Sequence, residues 1–463
     1  MKKVFALLTV LAAMLACSKD DAVDGGDETP AAPTSITVAP QSLSAERTGG
    51  TLALTVTAPS RPKLSTDADW ISVSDGTYKD YTITFTLTVA AYGQYGEREA
   101  TLTVTSGTLT KTVTLTQQGR EKPDVSNVDI DQDLVTAGPT DEAVALYDWL
   151  LSNYGKNIVS SVMADVSWNT SIAAKVYQNT GKYPAMNCFD FIQVYVPDGN
   201  GWIDYNDLSP VTDWAAAGGI VSLMWHFNVP LSATTEVKTD GSGVTCSTGS
   251  TTFSPSNALT DGTWEHTWYV ENIEKVASII LQLQEKGIAA IWRPYHEAAG
   301  NYHALNWKGS AWFWWGAEGP EVFKALWNDM FDRFAAKGIR NLIWVWTAQN
   351  CNGDASAYDS DESWYPGDDR VDIVARDIYG STASGVTLDF TSLQNTYNHK
   401  MITLGECGHG DSAFPALSDW WIEGGNYSWF MPWYESGATM VSWDWWKAAF
   451  ASDYVLTRED ISL

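Results

Sequence analysis

The stretch Ile291-Trp-Arg-Pro-Tyr-His-Glu297, taken up again at Trp312-Phe-Trp-Trp-Gly316, decides how this chain of 463 residues is read. Ile288 to Trp292 is an apolar run of the kind that forms a buried parallel strand, and it stops in Arg293, His296 and Glu297. Three ionisable side chains do not belong in a core. They suit the carboxyl end of a barrel strand, where side chains face a ligand. The Trp cluster that follows is richer in aromatics than helix packing requires. Flat rings cover the C–H faces of pyranoses, and a carboxylic acid beside them can protonate a glycosidic oxygen.

Outward from that stretch, strand-like runs alternate with helical ones from Glu142 to the end. The expected barrel strands are 158–163, 185–190, 220–226, 289–297, 342–346, 371–379, 401–406 and 438–445. Helical spacing of apolar residues occupies 273–286 and 321–337. Eight strands with helical connections predict an α/β fold, a (β/α)8 TIM barrel over residues 141–463. An open doubly wound sheet would need a Gly-rich phosphate loop after its first strand, and the sequence has none.

The ends of these runs repeat one theme. They carry Asp190, Trp225-His226, His296-Glu297, Trp346 with Gln349 and Asn350, Asp377 with Tyr379, Glu406, and Trp443 to Trp446. Polar and aromatic residues at one end of successive strands mark the rim where sites of this fold lie. Glu297 and Glu406 close the fourth and seventh strands, which face one another across the barrel. A retaining glycosidase needs two carboxyl groups about 5–5.5 Å apart, one as acid/base and one as nucleophile. His and Trp around Glu297 can keep it protonated, so it is read as the acid/base. Small residues around Glu406 leave room for a sugar ring, so it is read as the nucleophile.

The region resembles glycoside hydrolase family 26, chiefly β-1,4-mannanases of the clan with glutamates on strands four and seven. The matching pieces are Leu223-Met-Trp-His226, Trp292-Arg-Pro-Tyr-His-Glu297, Trp312-Phe-Trp-Trp-Gly316, Asp377-Ile-Tyr379-Gly380 and Leu404-Gly-Glu406. The resemblance implies that His226 and His296 line the subsite of the reacting sugar and that Trp312 stacks there. It implies that Tyr379 steers the nucleophile and that Arg293 and Asp377 hold the charges of the site. Trp315 and Trp443 complete the expected substrate-binding set. The segment Asn301 to Ala311 stands as an insertion between the acid and the Trp-rich motif, which leaves endo against chain-end action open. The implied substrate is β-mannan, galactomannan or glucomannan. Glucan or xylan cleavage and mannobiose release from chain ends are the nearer alternatives, and a non-catalytic glycan-binding protein is the farther one.

Composition agrees with a large core and a neutral ligand. Apolar residues are 44% and charged residues 18%, with 56 acidic against 28 basic residues for a net charge of −28. That balance repels nucleic acid and polyanions. The reading calls for no cofactor and no metal, since Ala298-Ala-Gly300 interrupts the His-Glu-x-x-His zinc pattern. Structural calcium stays open. Cys17, Cys188, Cys246, Cys351 and Cys407 match no zinc spacing, and for the last four free thiols are favoured over disulfides. The chain is expected to act as a monomer.

Of the 24 Trp, only Trp70 precedes residue 140, so the N-terminal part is built differently. Residues 1–17 read as an export signal: Lys2 and Lys3, an apolar Val4 to Leu15, then Met14-Leu-Ala-Cys17. This resembles a bacterial lipoprotein cleavage site with lipid on Cys17, Met14 replacing the usual Leu, and Ser18-Lys-Asp-Asp21 resembles a tag for the outer face of the outer membrane. The expected localisation is therefore a cell-surface, outer-membrane lipoprotein. Residues 18–34 form a polar linker and 120–140 a second one. Between them, residues 35–119 alternate apolar residues with Thr, the signature of half-buried strands in a small immunoglobulin-like β-sandwich. Ala68-Asp-Trp70-Ile, Arg98-Glu-Ala and Gln117-Gln-Gly resemble a BACON domain. With Trp70 alone as a stacking ring, a spacer is favoured over glycan binding.

Overall fold

A computed structural model describes residues 32–92, 96–119, 129–196, 203–300, 311–349, 362–410 and 412–463. The chain forms two compact units, divided near Gln117.

The first unit is a sandwich of two four-stranded sheets. One runs in the order Thr37–Ala39, Gly50–Thr57, Thr82–Val89, Ile71–Ser74, and the other Ser42–Ala45, Leu109–Gln118, Glu97–Ser106, Lys63–Ser65. The Thr alternation decides which face goes inward: Leu54, Val56, Phe85, Leu87, Leu102 and Leu115 are buried, while their Thr neighbours face out. Trp70 is half-buried against this core, with the Arg98 guanidinium 4.0 Å above its ring. Arg98 Nε donates to Gln117 Oε1 at 2.9 Å, and Gln117 Nε2 donates to the Ala90 and Glu46 carbonyls. The residues that resemble BACON thus form one structural knot, in keeping with a packing role for Trp70.

The second unit is a closed barrel of eight parallel strands: Ile158–Met163, Met186–Asp190, Ile220–Trp225, Ala290–Pro294, Leu342–Ala348, Ile373–Tyr379, Met401–Gly408 and Trp429–Pro432. The first and second strands pair to close it. Almost every strand residue is buried, because barrel strands are covered on both faces, and this is why they read as continuous apolar runs. The long helices fall where spacing predicts them, at Trp264–Glu285 and Pro320–Ala336. Thr263 caps the first through His266 N, and Pro320 opens the second.

Two expectations are corrected. The eighth strand is Trp429–Pro432, not 438–445. Ala438–Thr439 instead belongs to a small hairpin with Tyr434–Glu435, turning at Ser436 and Gly437, both with positive φ. Trp443–Phe450 is a helix, started by Ser442, whose side chain accepts from Trp445 N at 3.1 Å. The second linker is also shorter than its composition implies, because Asp129 to Thr140 lies against the barrel. Ile130 joins the barrel core, Val135 N donates to Asp372, and Asp131 pairs with the buried Lys400.

Candidate active site

The site begins as a layer of charge across the upper barrel. Arg293, on the fourth strand, reaches over the axis to three other strands. Its Nη1 donates to Asp377 at 3.0 Å and to Thr347 Oγ1 at 3.0 Å, and its Nη2 donates to Glu406 Oε1. Tyr379 Oη donates to the other oxygen, Glu406 Oε2, at 2.6 Å. Arg293, Asp377 and Glu406 are all buried. Burial favours a neutral Arg293, but Asp377 and Glu406 outweigh it and hold the guanidinium proton more tightly than usual. Glu406 reaches its place through an irregularity: Arg376 pairs with Leu404 and Asp377 with Glu406, so Gly405 is the extra residue that re-aims the strand.

Glu297 enters from just past the fourth strand. Tyr295 and Glu297 have φ of +48° and +52°, a left-handed backbone that side chains disfavour and that clusters at functional sites. One oxygen each of Glu297, Asp377 and Glu406 lies within 4.8 Å of the others. Burial, then the charges of Asp377 and Glu406, push the Glu297 carboxyl well above the usual range, and it donates a hydrogen bond to Asp377. Burial raises Asp377 as well, to about 7, against the pull of Arg293. Asp377 already has the guanidinium beside it, so the shared proton rests on Glu297. A proton donor and an ionised carboxylate thus face one space. Such a trio of carboxylates could attract a divalent ion, but the guanidinium already supplies its cation.

Two histidines stand beside the carboxylates, their rings 4.4 Å apart. Asp190, at the end of the second strand, holds His226 twice: Oδ2 lies 2.6 Å from Nδ1, and Oδ1 accepts the backbone N–H. Burial disfavours the His226 cation, yet Asp190 reverses that and raises its pKa. Burial, with His226 and Arg293 nearby, holds His296 well below the usual range, so it is neutral. Phe313 packs on His296, and Trp433 on His226 at 5.7 Å. Trp312 is half-buried. Its ring lies so close over Gly300 that a Cβ there would be 2.1 Å from it.

The model for glycosyl hydrolase family 26 matches residues 135–460. The chain belongs to glycosyl hydrolase family 26. The BACON model matches residues 57–118 of the first unit. Among curated relatives of this family 26 chain, a mannan endo-1,4-beta-mannosidase of Thermothelomyces thermophilus is 32% identical over 329 residues. The match takes in 69% of this chain and 61% of that relative, so the chain spans under two thirds of its length. The GH26 domain of a Prevotella bryantii endo-beta-mannanase/endo-beta-glucanase is 48% identical, with a TM-score of 0.69 over 71% of this chain and 99% of that one. A beta-mannanase from a symbiotic protist of the termite Reticulitermes speratus, solved with a gluco-manno-oligosaccharide, is 28% identical. Its TM-score is 0.57 over 72% of this chain and 99% of that one.

Within the family 26 barrel, Glu297, Glu406, Arg293, Asp377, Tyr379, His226 and His296 meet in one place, and Trp312 lies against Gly300 beside them. Two residues of the expected substrate-binding set sit otherwise than their place in the sequence implies. Trp315 is fully buried, with its Nε1 donating to the His296 carbonyl at 2.9 Å and its ring stacked on Phe313, so it supports the site from behind. Trp443 opens a helix rather than ending a strand, and it packs on the barrel's apolar core. Trp433, one residue past the eighth strand, is the Trp of this end that packs on His226. Phe313 and the pairing of Asp190 with His226 were also missed. Asp190 and His226 were each visible as strand ends, but their pairing was not. Asn350 and the insertion over 301–310 lie outside the described residues. Cys188, Cys246 and Cys407 are free thiols; Cys17 and Cys351 lie outside the described residues.

Proposed function

We propose that the protein is a retaining endo-β-1,4-mannanase acting on β-mannan, galactomannan or glucomannan. The observation that carries this is the approach of Glu297 and Glu406 to within 4.8 Å, the spacing of direct attack rather than the wider gap that admits a water. Glu406 attacks the anomeric carbon while Glu297 gives its proton to the departing glycosidic oxygen, leaving a glycosyl ester on Glu406. Glu297 then takes a proton from water, whose oxygen attacks the same carbon and frees Glu406. Arg293 and Tyr379 keep both oxygens of the nucleophile in position. Asp377 receives the Glu297 hydrogen bond and holds the acid's proton toward the site. The names of the mannan-cleaving relatives support the substrate, and a binding-only barrel has no use for a protonated acid beside an ionised partner.

Products from linear mannan, galactomannan, xylan and mixed-linkage glucan test the reading. A spread of manno-oligosaccharides early in the reaction is expected. Mannobiose alone would replace endo with chain-end action, and products from glucan or xylan alone would overturn the substrate. Glu406→Ala should abolish turnover of every substrate. Glu297→Ala should lose about 10²–10⁴-fold on mannan yet keep part of its rate on aryl glycosides with good leaving groups. Equal loss on both would count against the two roles.

We also propose that lipid on Cys17 anchors the enzyme at the outer face of the outer membrane, where it works as a monomer on polysaccharide outside the cell. Lys2, Lys3, the short apolar run and Met14-Leu-Ala-Cys17 support this. Labelled palmitate should enter the protein in its native host and vanish with Cys17→Ala. Labelling that survives that change would refute the anchor.

A further inference from the structure

Beneath the charge layer lies an unusual floor. Met163, Cys188, Met224 and Met431, from the first, second, third and eighth strands, form a buried cluster separate from the main core. Trp433 and Tyr434 pack on it from one side. Above it, Arg293 Nη2 divides its donors between Glu406 and the Met224 sulfur, which lies 3.8 Å away. Met224 is fully buried and so touches no substrate.

We propose that Met224 is a positioning residue for the reaction, its thioether accepting the second Nη2 hydrogen of Arg293 and holding the guanidinium flat between Asp377 and Glu406. A buried guanidinium needs a partner for each of its N–H groups. A carboxylate at this position would satisfy the group but draw the charge down, away from the nucleophile. A hydrocarbon would leave the donor unmet. A thioether is a weak, neutral acceptor, so it fixes the geometry and leaves the charge for Glu406 and Asp377. The ionisable groups around Arg293 are then Asp377 and Glu406 at contact, with Cys188, Glu297, His226 and His296 next. Burial pushes the Cys188 thiol up to about 12, so it stays neutral in the floor.

This inference rests on the glycosidase reading, and the test separates the two. Full-length wild type, Met224→Leu and Met224→Gln are compared on the glycan the wild type cleaves, with thermal melts to confirm folding. Leu keeps the volume and removes the acceptor, while Gln supplies an oxygen acceptor. Met224→Leu should lower kcat about five- to tenfold with KM unchanged, as a misplaced catalytic group does. Its alkaline pH limb should move upward, because Arg293 normally lowers the proton affinity of Glu297. Met224→Gln should fall between Leu and wild type in both respects. An active wild type with an unchanged Leu variant, or a Gln variant no better than Leu, overturns the role of Met224 alone. A wild type inert on every glycan overturns both readings.

Discussion

A methyl group added at Gly405 would lie 2.7 Å from Asp377 Oδ1, 3.1 Å from the Ala375 Cβ and 3.5 Å from Arg293 Nη1. Nothing there is the free end of a flexible chain. Asp377 is held by the guanidinium and by Glu297, and Ala375 belongs to a buried strand. Gly405→Ala should therefore displace Asp377 from Arg293 and unsettle Glu406 next door. The expected result is a fall in kcat/KM of about 10²-fold, the order reached when a group shifts by an ångström, with the fold retained by circular dichroism. Wild-type kinetics in this variant would mean that the bulge has slack the distances do not suggest. Glu297 and Glu406 were readable because an ionisable side chain at the end of an apolar run has no place in a core. Gly405 was readable only as a small neighbour, since its closeness to Asp377 comes from the pairing of two strands far apart in sequence.

At the scale of elements, seven barrel strands could be read because each is covered on both faces and therefore apolar throughout. The eighth could not. Trp429–Pro432 is four residues long, and the run from Ala438 to Trp446 beyond it is richer in aromatic side chains, which strands and buried helices both accept. The feature that separates the two is Ser442, a cap whose hydroxyl takes up an otherwise free N–H, followed by Trp446, Ala449 and Phe450 buried on one helical face. The same limit misplaced the Trp contacts. Periodicity shows that an aromatic is buried, but whether its ring lines a cleft or props up a histidine depends on neighbours from other strands. Phe313 on His296 and Trp315 behind it alternate along one short turn. The stretch from Asp129 to Thr140 reads as linker because it is polar, yet its polarity serves the barrel: Asp131 answers Lys400, and the backbone N–H of Val135 answers Asp372.

Across the whole molecule, the proton balance of the barrel sets how stability follows pH. Asp372 is buried, and desolvation raises it to about 7 despite hydrogen bonds from Val135 and Trp344. Burial raises Asp377 and the half-buried Asp148 to about 7 as well, and holds Glu297 well above its usual range. Unfolded, these groups titrate near ~4, so between about pH 4 and 7 the folded barrel binds more protons than the unfolded chain. Their stabilisation is complete below the unfolded values and is lost as pH rises through the folded ones. Each such group removes at most about 1.4 kcal/mol per pH unit, less for Asp148, which water partly screens. His226, also raised, acts in the same direction. His296 opposes them, because its lowered pKa means that acid destabilises the fold, but it is one group against five. Self-repulsion of a chain with net charge −28 adds to the loss at high pH. The barrel's thermal midpoint should therefore fall by roughly 5 °C or more from pH 5.5 to 8 at fixed ionic strength. Added salt should remove the surface part of that fall and leave the buried part. Asp148→Asn, on the helix Asp141–Asn153, should flatten the slope without touching the site. A midpoint that climbs over the same range would mean that these carboxyls ionise in the folded barrel as readily as in water, and that Glu297 cannot hold the proton its role requires.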